Sequence, residues 1–313
     1  MKLGILFAGQ GSQMTGMGAD FYEKYEEFRE VFDLLPKEKK QIAWQGTMEE
    51  LSDTRNTQPV MVAFAAGVWN MLRPELEKAD TRPVMAAGLS LGEYSALHSA
   101  GVFTAKEAID LVTLRSMAMT KASEGIECAM SAVLQLDREI LKDCCDKAAE
   151  KSGKVVSIAN YNCPGQIVIA GEKEAVEAAA DLAMESGAAR CKSLPVSGPF
   201  HTEFMKPAGE VLAKEFESVD FKPMDFPVVF NTLGKTGDNH SVAELLVKQV
   251  QSSVYFEDTL RFMADSGVDT FLEIGPGKTL SGFVRKTCPG AKTYSITKAG
   301  DFEAFMDVLK GEI

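Results

Sequence analysis

The sequence predicts an α/β fold that carries an inserted ferredoxin-like subdomain, and three observations lead there. Short apolar runs of strand character alternate with helix-length segments along most of the chain. A glycine-bounded turn, Gly88-Leu89-Ser90-Leu91-Gly92, joins one such run to a helix. The middle of the chain, a stretch of about 70 residues and so of subdomain size, changes its order to β-α-β-β-α-β.

Residues 3–7 are apolar, short and followed by Ala8-Gly9, which suits a core strand and not a secretory leader. Residues 58–72 are mostly apolar at helix length and read as a buried helix. Residues 84–87 read as a short buried strand, followed by the glycine-bounded turn and a helix over 93–99. A further helix covers 104–121, with Thr104 as N-cap and Glu107 three residues on to close a capping box. In the middle, 129–136 reads as a strand and 137–151 as a helix. Two strands, 155–159 and 166–170, are joined by Asn160-Tyr161-Asn162-Cys163-Pro164-Gly165, and 172–186 (helix) and 189–194 (strand) complete the unit. Strands at 228–230 and 270–274 then resume the α/β pattern, the second running into Gly275-Pro276-Gly277 and a helix from near Lys278. The larger domain is therefore expected from both ends of the chain, 1–125 and 196–313, with the ferredoxin-like subdomain at 126–195.

The chain has 313 residues, 45% of them hydrophobic and 25% charged, which are globular values. Its formal net charge of −12 disfavours broad nucleic-acid binding, because neutralising phosphates needs a basic surface. No apolar run approaches the roughly 20 residues of a membrane span. The six cysteines follow no zinc or redox spacing, so no metal site is expected and reduced thiols in a cytoplasmic protein are.

The strand–turn–helix context of Gly88-Leu89-Ser90-Leu91-Gly92 is that of a nucleophile elbow. The glycines permit a sharp turn that exposes the serine hydroxyl, and the next N–H lies at a helix N-terminus, where an oxyanion can bind. A serine that merely caps the helix is the plainer reading. A catalytic serine needs a base, and the chain has three histidines. His98 lies eight residues after Ser90 on the same helix and should point away; His240 sits in a polar turn. His201, in a loop just after the insert, is the candidate base by elimination. Arg115 shares one helix face with Ala108, Leu111, Val112 and Met119. A guanidinium on an apolar stripe needs a partner, either an acid of the core or a substrate carboxylate held in bidentate fashion.

Together these residues resemble the malonyl-CoA:acyl carrier protein transacylase family of fatty acid synthesis. The resemblance spans nearly the whole chain. It rests on Gly9-Gln10-Gly11-Ser12-Gln13 after the first strand, on Gly88 to Ala96, and on Arg115. It rests further on Asn160 with Pro164-Gly165-Gln166, on His201 after Gly198-Pro199-Phe200, on Gln249 before Tyr255-Phe256, and on Glu273-Ile274-Gly275-Pro276-Gly277. It implies an α/β-hydrolase-like large domain with the ferredoxin-like insert, Ser90 as nucleophile and His201 as its base. It also implies an oxyanion hole from the N–H groups of Gln10 and Leu91, Arg115 as clamp for the malonyl carboxylate, and Asn160 as a further binding residue. Gln249 is implied to orient the histidine through its backbone carbonyl, so no catalytic aspartate is expected. Leu89 stands where many relatives have histidine and Ala8 where proline is frequent; in related polyketide acyltransferases a phenylalanine placed like Phe200 accompanies malonyl.

The implied reaction is ping-pong transfer of malonyl from malonyl-CoA to an acyl carrier protein through a serine ester, without cofactor, by a monomer. Docking of an acidic carrier would need a local basic surface, for which Arg190, Lys192, Lys206, Lys278 and Lys286 are the candidates. A discrete polyketide acyltransferase would use the same residues. A serine esterase or thioesterase would share Ser90 and His201 without needing Arg115, and a non-catalytic scaffold would need none of them.

Overall fold

The computed structural model describes residues 1–195 and 198–311. In chain order the strands are β1 (Leu3–Phe7), β2 (Met85–Gly88), β3 (Cys128–Leu134), β4 (Val156–Cys163), β5 (Gln166–Glu172), β6 (Arg190–Leu194), β7 (Val228–Phe230), β8 (Lys235–Thr236), β9 (Val254–Tyr255), β10 (Thr270–Ile274) and β11 (Lys292–Ile296). Contacts divide the chain into two compact units: Met1–Ser116 with Asp220–Phe230 and Arg261–Ile313, and Met117–Val219 with Asn231–Leu260. These differ from the ranges read from the sequence, because segments flanking the insert pack with it. The expected boundary at residue 196 lies outside the described residues.

In the first unit the sheet runs β11-β10-β1-β2-β7, all parallel. Strands β1, β2, β7 and β10 are buried throughout, as a sheet covered on both faces requires. The expected helix over 58–72 extends over Thr54–Lys78. Pro59 does not break it: Lys39 Nζ donates at 3.0 Å to the carbonyl of Arg55, the group that a residue-59 N–H would have reached. Its apolar surface packs on aromatic neighbours, with Phe64 edge-on to Phe21 at 5.6 Å and to Phe28 at 5.9 Å. The helix Ala105–Ser123 begins with the capping box read from the sequence. Glu107 N donates to Thr104 Oγ1 at 3.2 Å and Thr104 N to Glu107 Oε2 at 2.7 Å.

In the second unit the sheet order is β6-β3-β5-β4-β9; the first four strands pair antiparallel and β9 joins β4 in parallel. With the helices Arg138–Ser152 and Lys173–Glu185 on one face, this is the ferredoxin-like arrangement. The core between helices and sheet includes Val133, Ile158 and Ile169 with Leu141, Cys144, Cys145 and Val176. One expectation is corrected. Residues 160–163 are not a connection; β4 continues through Cys163, and Pro164-Gly165 alone make the turn. Register shifts at 158–160 and 161–163 let β4 carry asparagines, while β9 pairs with Asn160 and Tyr161.

Among the described residues no helix is long and apolar enough to cross a membrane. Nor do three or more His, Cys, Asp or Glu side chains gather as metal ligands.

Candidate active site

Ser90 sits in the turn between β2 and the helix Gly92–Ser99, with φ 54°. That conformation costs a residue with a side chain on the order of 1–3 kcal/mol and persists only where its surroundings enforce it. Enforcement comes from backbone packed on backbone. A Cβ at Gly88 would lie 1.9 Å from the carbonyl carbon of Gly92, so only glycine lets strand and helix approach this closely. Gly9 meets the other side of the turn, where a Cβ would lie 2.5 Å from the Leu89 carbonyl oxygen. Leu89 N donates to Phe7 O at 3.0 Å, which ties the elbow to the end of β1. Neither the Gln10 nor the Leu91 N–H donates a hydrogen bond among the described residues. Both are thus available to an incoming anion, and the Leu91 donor stands at a helix N-terminus, where the dipole favours negative charge.

Arg115 is fully buried on the face the sequence assigned it, with Ala108, Leu111, Val112 and Met119 all buried. Lys106 and Asp110, on the opposite side, pair at 2.5 Å in solvent. The guanidinium donates from Nη1 to Gln58 Oε1 at 2.8 Å and from Nη2 to Ser90 Oγ at 3.0 Å. Its carbon lies 5.7 Å from the Tyr94 ring centre. Burial pulls the Arg115 pKa down, while Tyr94 and the Glu93 carboxylate act in the opposite direction. Gln58 was read from the sequence only as part of an apolar helix. Gln58 is 1% exposed, and the signal available in the sequence was a polar residue in a mostly apolar helix, directly before Pro59.

In the second unit His201 is 4% exposed and also has positive φ, 62°. Its Nδ1 lies 2.9 Å from the backbone carbonyl oxygen of Gln249. A carbonyl oxygen only accepts, so Nδ1 carries the proton and Nε2 is left as the basic nitrogen. Thr202 Oγ1 donates to Pro199 O at 2.6 Å and steadies the turn that holds the ring. Phe200 and Gln249 are buried. Asn160 is buried on β4 in register with Val254. Asn162, one repeat along, is also buried, and its side-chain oxygen has no hydrogen-bond partner among the described residues. It was missed because its segment was read as a connection.

Of the other histidines, His98 holds its Nδ1 2.9 Å from Phe103 O and His240 is exposed in a turn. The structure thus groups Ser90, Leu91, Gln10 and Arg115 in the first unit, and His201, Gln249 and Asn160 in the second.

The model of the acyl transferase domain matches residues 5–302. The malonyl CoA-acyl carrier protein transacylase of Bacillus subtilis (strain 168) is 40% identical over 99% of this chain and 98% of its own length. The chain belongs to the malonyl-CoA:acyl carrier protein transacylase family. The transacylase of Escherichia coli (strain K12) is 39% identical over 91% of the chain and 92% of its own length. Among solved structures, the MCAT of Streptococcus pneumoniae superposes with a TM-score of 0.90 at 38% identity, covering 98% of this chain and all of its own. A malonyl-transacylase solved in complex with a type II PKS acyl-carrier protein gives a TM-score of 0.91 at 37% identity over 98% of this chain and 100% of its own. In this transacylase-family chain the five candidate docking cations are all exposed, but they are divided: Arg190, Lys192 and Lys206 lie in the second unit, Lys278 and Lys286 in the first.

Proposed function

We propose that this chain transfers malonyl from malonyl-CoA to the phosphopantetheine thiol of an acyl carrier protein in fatty acid biosynthesis, through a malonyl ester on Ser90. The observation that carries this reading is the 3.0 Å bond from Arg115 Nη2 to Ser90 Oγ. A buried cation beside the nucleophile serves a substrate whose anion lies close to its reacting carbonyl. In malonyl a single methylene separates the carboxylate from the thioester carbonyl, and an esterase of neutral acyl groups has no use for such a charge.

In the first half-reaction Arg115 binds the malonyl carboxylate, and His201 Nε2 takes the Ser90 proton as Oγ attacks the thioester carbonyl. The N–H groups of Gln10 and Leu91 receive the oxyanion; loss of one such donor typically costs about 100- to 1000-fold in rate. The tetrahedral intermediate collapses, the carbon–sulfur bond breaks, and coenzyme A leaves with the imidazolium proton. In the second, the carrier thiol gives its proton to His201 and attacks the ester, and Ser90 departs with that proton. The Gln249 carbonyl keeps the imidazole in the tautomer that both steps need, and Asn160 contributes to substrate binding. No metal or redox cofactor enters this chemistry, and the proposed setting is a cytoplasmic monomer. The proposed division into a catalytic domain, 1–125 with 196–313, and an insert, 126–195, gives the insert His201 as its immediate neighbour.

Intact-mass measurement after mixing with malonyl-CoA tests the scheme. A malonyl adduct should form, persist in water, vanish when a holo-carrier protein is added, and be absent from Ser90→Ala. Rapid loss of the adduct to water would make the chain a hydrolase. A second reading, the same transfer to a polyketide carrier, draws on the likeness to the transacylase solved with a PKS carrier. Comparing fatty acid and polyketide carriers as acceptors separates the two.

A further inference from the structure

Glu273-Ile274-Gly275-Pro276-Gly277 carries part of the family resemblance, yet the proposed chemistry gives it no task. It ends β10 and turns into the helix Thr279–Thr287, within the first unit. The pairing of β10 with β1 runs as far as Ile274 and Phe7, and Ala8 N then donates to Ile274 O at 3.1 Å. The turn therefore meets the chain two residues before Gln10, the proposed oxyanion donor.

Gly275 has φ 144°, and a Cβ there would lie 2.4 Å from the Ala8 Cβ. Non-bonded carbons keep roughly 3.5 Å, so a side chain at 275 would force turn and strand end apart by about 1 Å. The Ala8 methyl has no torsion to carry it aside and moves only with its backbone. The turn is held firmly from its far side. The fully buried Glu273 carboxylate accepts Leu280 N at 3.0 Å and Ser281 N at 2.8 Å. Gly275 N donates to Ile296 O at 3.2 Å, and Thr297 Oγ1 to Gly277 O at 3.0 Å. Displacement would therefore fall on Ala8-Gly9-Gln10. Gly9 already lies against the Leu89 carbonyl, where a Cβ would come within 2.5 Å, which leaves Gln10 to take up the shift. An oxyanion donor acts only within about 2.7–3.1 Å of the developing charge, and a misplacement of about 1 Å costs on the order of 100-fold in rate.

We infer that Gly275 is a positioning residue for acyl transfer: by presenting no side chain to Ala8, it seats the Gln10 N–H where, with the Leu91 N–H, it reaches the oxyanion. The inference rests on the proposed reading of Ser90 as nucleophile and of those two N–H groups as oxyanion donors.

Single-turnover acylation by malonyl-CoA, followed by intact mass, reads the rate, and calorimetric titration of Ser90→Ala protein with malonyl-CoA reads binding. Gly275→Ala should slow acylation about 100- to 1000-fold, the effect of losing one oxyanion donor. Made in the Ser90→Ala background, the same substitution should hardly change malonyl-CoA affinity, because Arg115 is untouched. Ala8→Gly added to Gly275→Ala removes the opposing methyl and should restore the rate at least about tenfold. The strain of a positive φ at 275 is present in both variants and bears on stability, so it cannot produce that recovery. Ala8→Val crowds the same contact from β1 with glycine kept at 275. It should slow acylation at least about tenfold, and it serves if Gly275→Ala does not fold. The inference is overturned if folded Gly275→Ala or Ala8→Val protein acylates within a few-fold of wild type, if Ala8→Gly brings no recovery, or if binding falls as steeply as rate. Wild type that takes up no malonyl would overturn the reading beneath the inference, and the inference with it.

Discussion

Two imidazoles, one in each unit, are held by the same device and differ in everything else. His98 Nδ1 lies 2.9 Å from Phe103 O, a carbonyl five residues away in the segment just after its own helix. His201 Nδ1 lies 2.9 Å from Gln249 O, a carbonyl 48 residues away. His98 has ordinary helical backbone, whereas His201 is one of four non-glycine residues with positive φ among those described; Ser90 is another. A carbonyl on Nδ1 therefore does not by itself mark a base. A local bond of this kind completes a helix end, while a long-range bond on a strained turn holds a ring where the chain would not otherwise leave it. Strain at both Ser90 and His201, in separate units, fits stored conformational energy at sites of chemistry.

The comparison is sharpened most by removing the groups themselves. Arg115→Ala should lower the preference for malonyl-CoA over acetyl-CoA by about four orders of magnitude, since a site built on a polar contact rejects analogues lacking it. Acylation rates with both substrates read this directly, and equal losses would remove the clamp from the scheme. His201→Ala should slow acylation about 1000-fold or more, whereas His98→Gln should leave the rate within a few-fold. If both substitutions cost alike, the distinction between the two imidazoles is wrong.

Gln249→Met should change turnover less than about tenfold, because the acceptor for His201 is main chain and survives the substitution. A larger loss in steady-state kinetics would move the role to the side chain. The smallest effect belongs to pH. Burial lowers the His98 pKa below its usual value, against the opposing bond to Phe103 O. Its folded form stays neutral while the unfolded chain takes up a proton near pH 6.5. This group's contribution is complete above that pH and is lost as pH falls toward the depressed folded value. Urea unfolding of wild type between pH 7.5 and 5.5 should show that decline, and His98→Gln should flatten it.

What the sequence determined by itself is local. The capping box at Thr104 and Glu107, the buried face of Arg115, the β-α-β-β-α-β order and the glycine-bounded elbow all depend on residues a few positions apart. Periodicity, caps and the steric demands of glycine act over that range, so each was legible before any fold was known. Where such signals conflict, the reading slipped: two asparagines and Pro164-Gly165 disguised the end of β4, which bulges and pairing with β9 keep in the sheet. What only the tertiary structure decided is partnership. Gln58 meets Arg115 across 57 residues and the Gln249 carbonyl meets His201 across 48. The Trp69 and Phe226 rings, far apart in sequence, meet edge to face. Such pairings are set by how elements pack, and a main-chain carbonyl acceptor leaves no trace in the identity of the residue that supplies it.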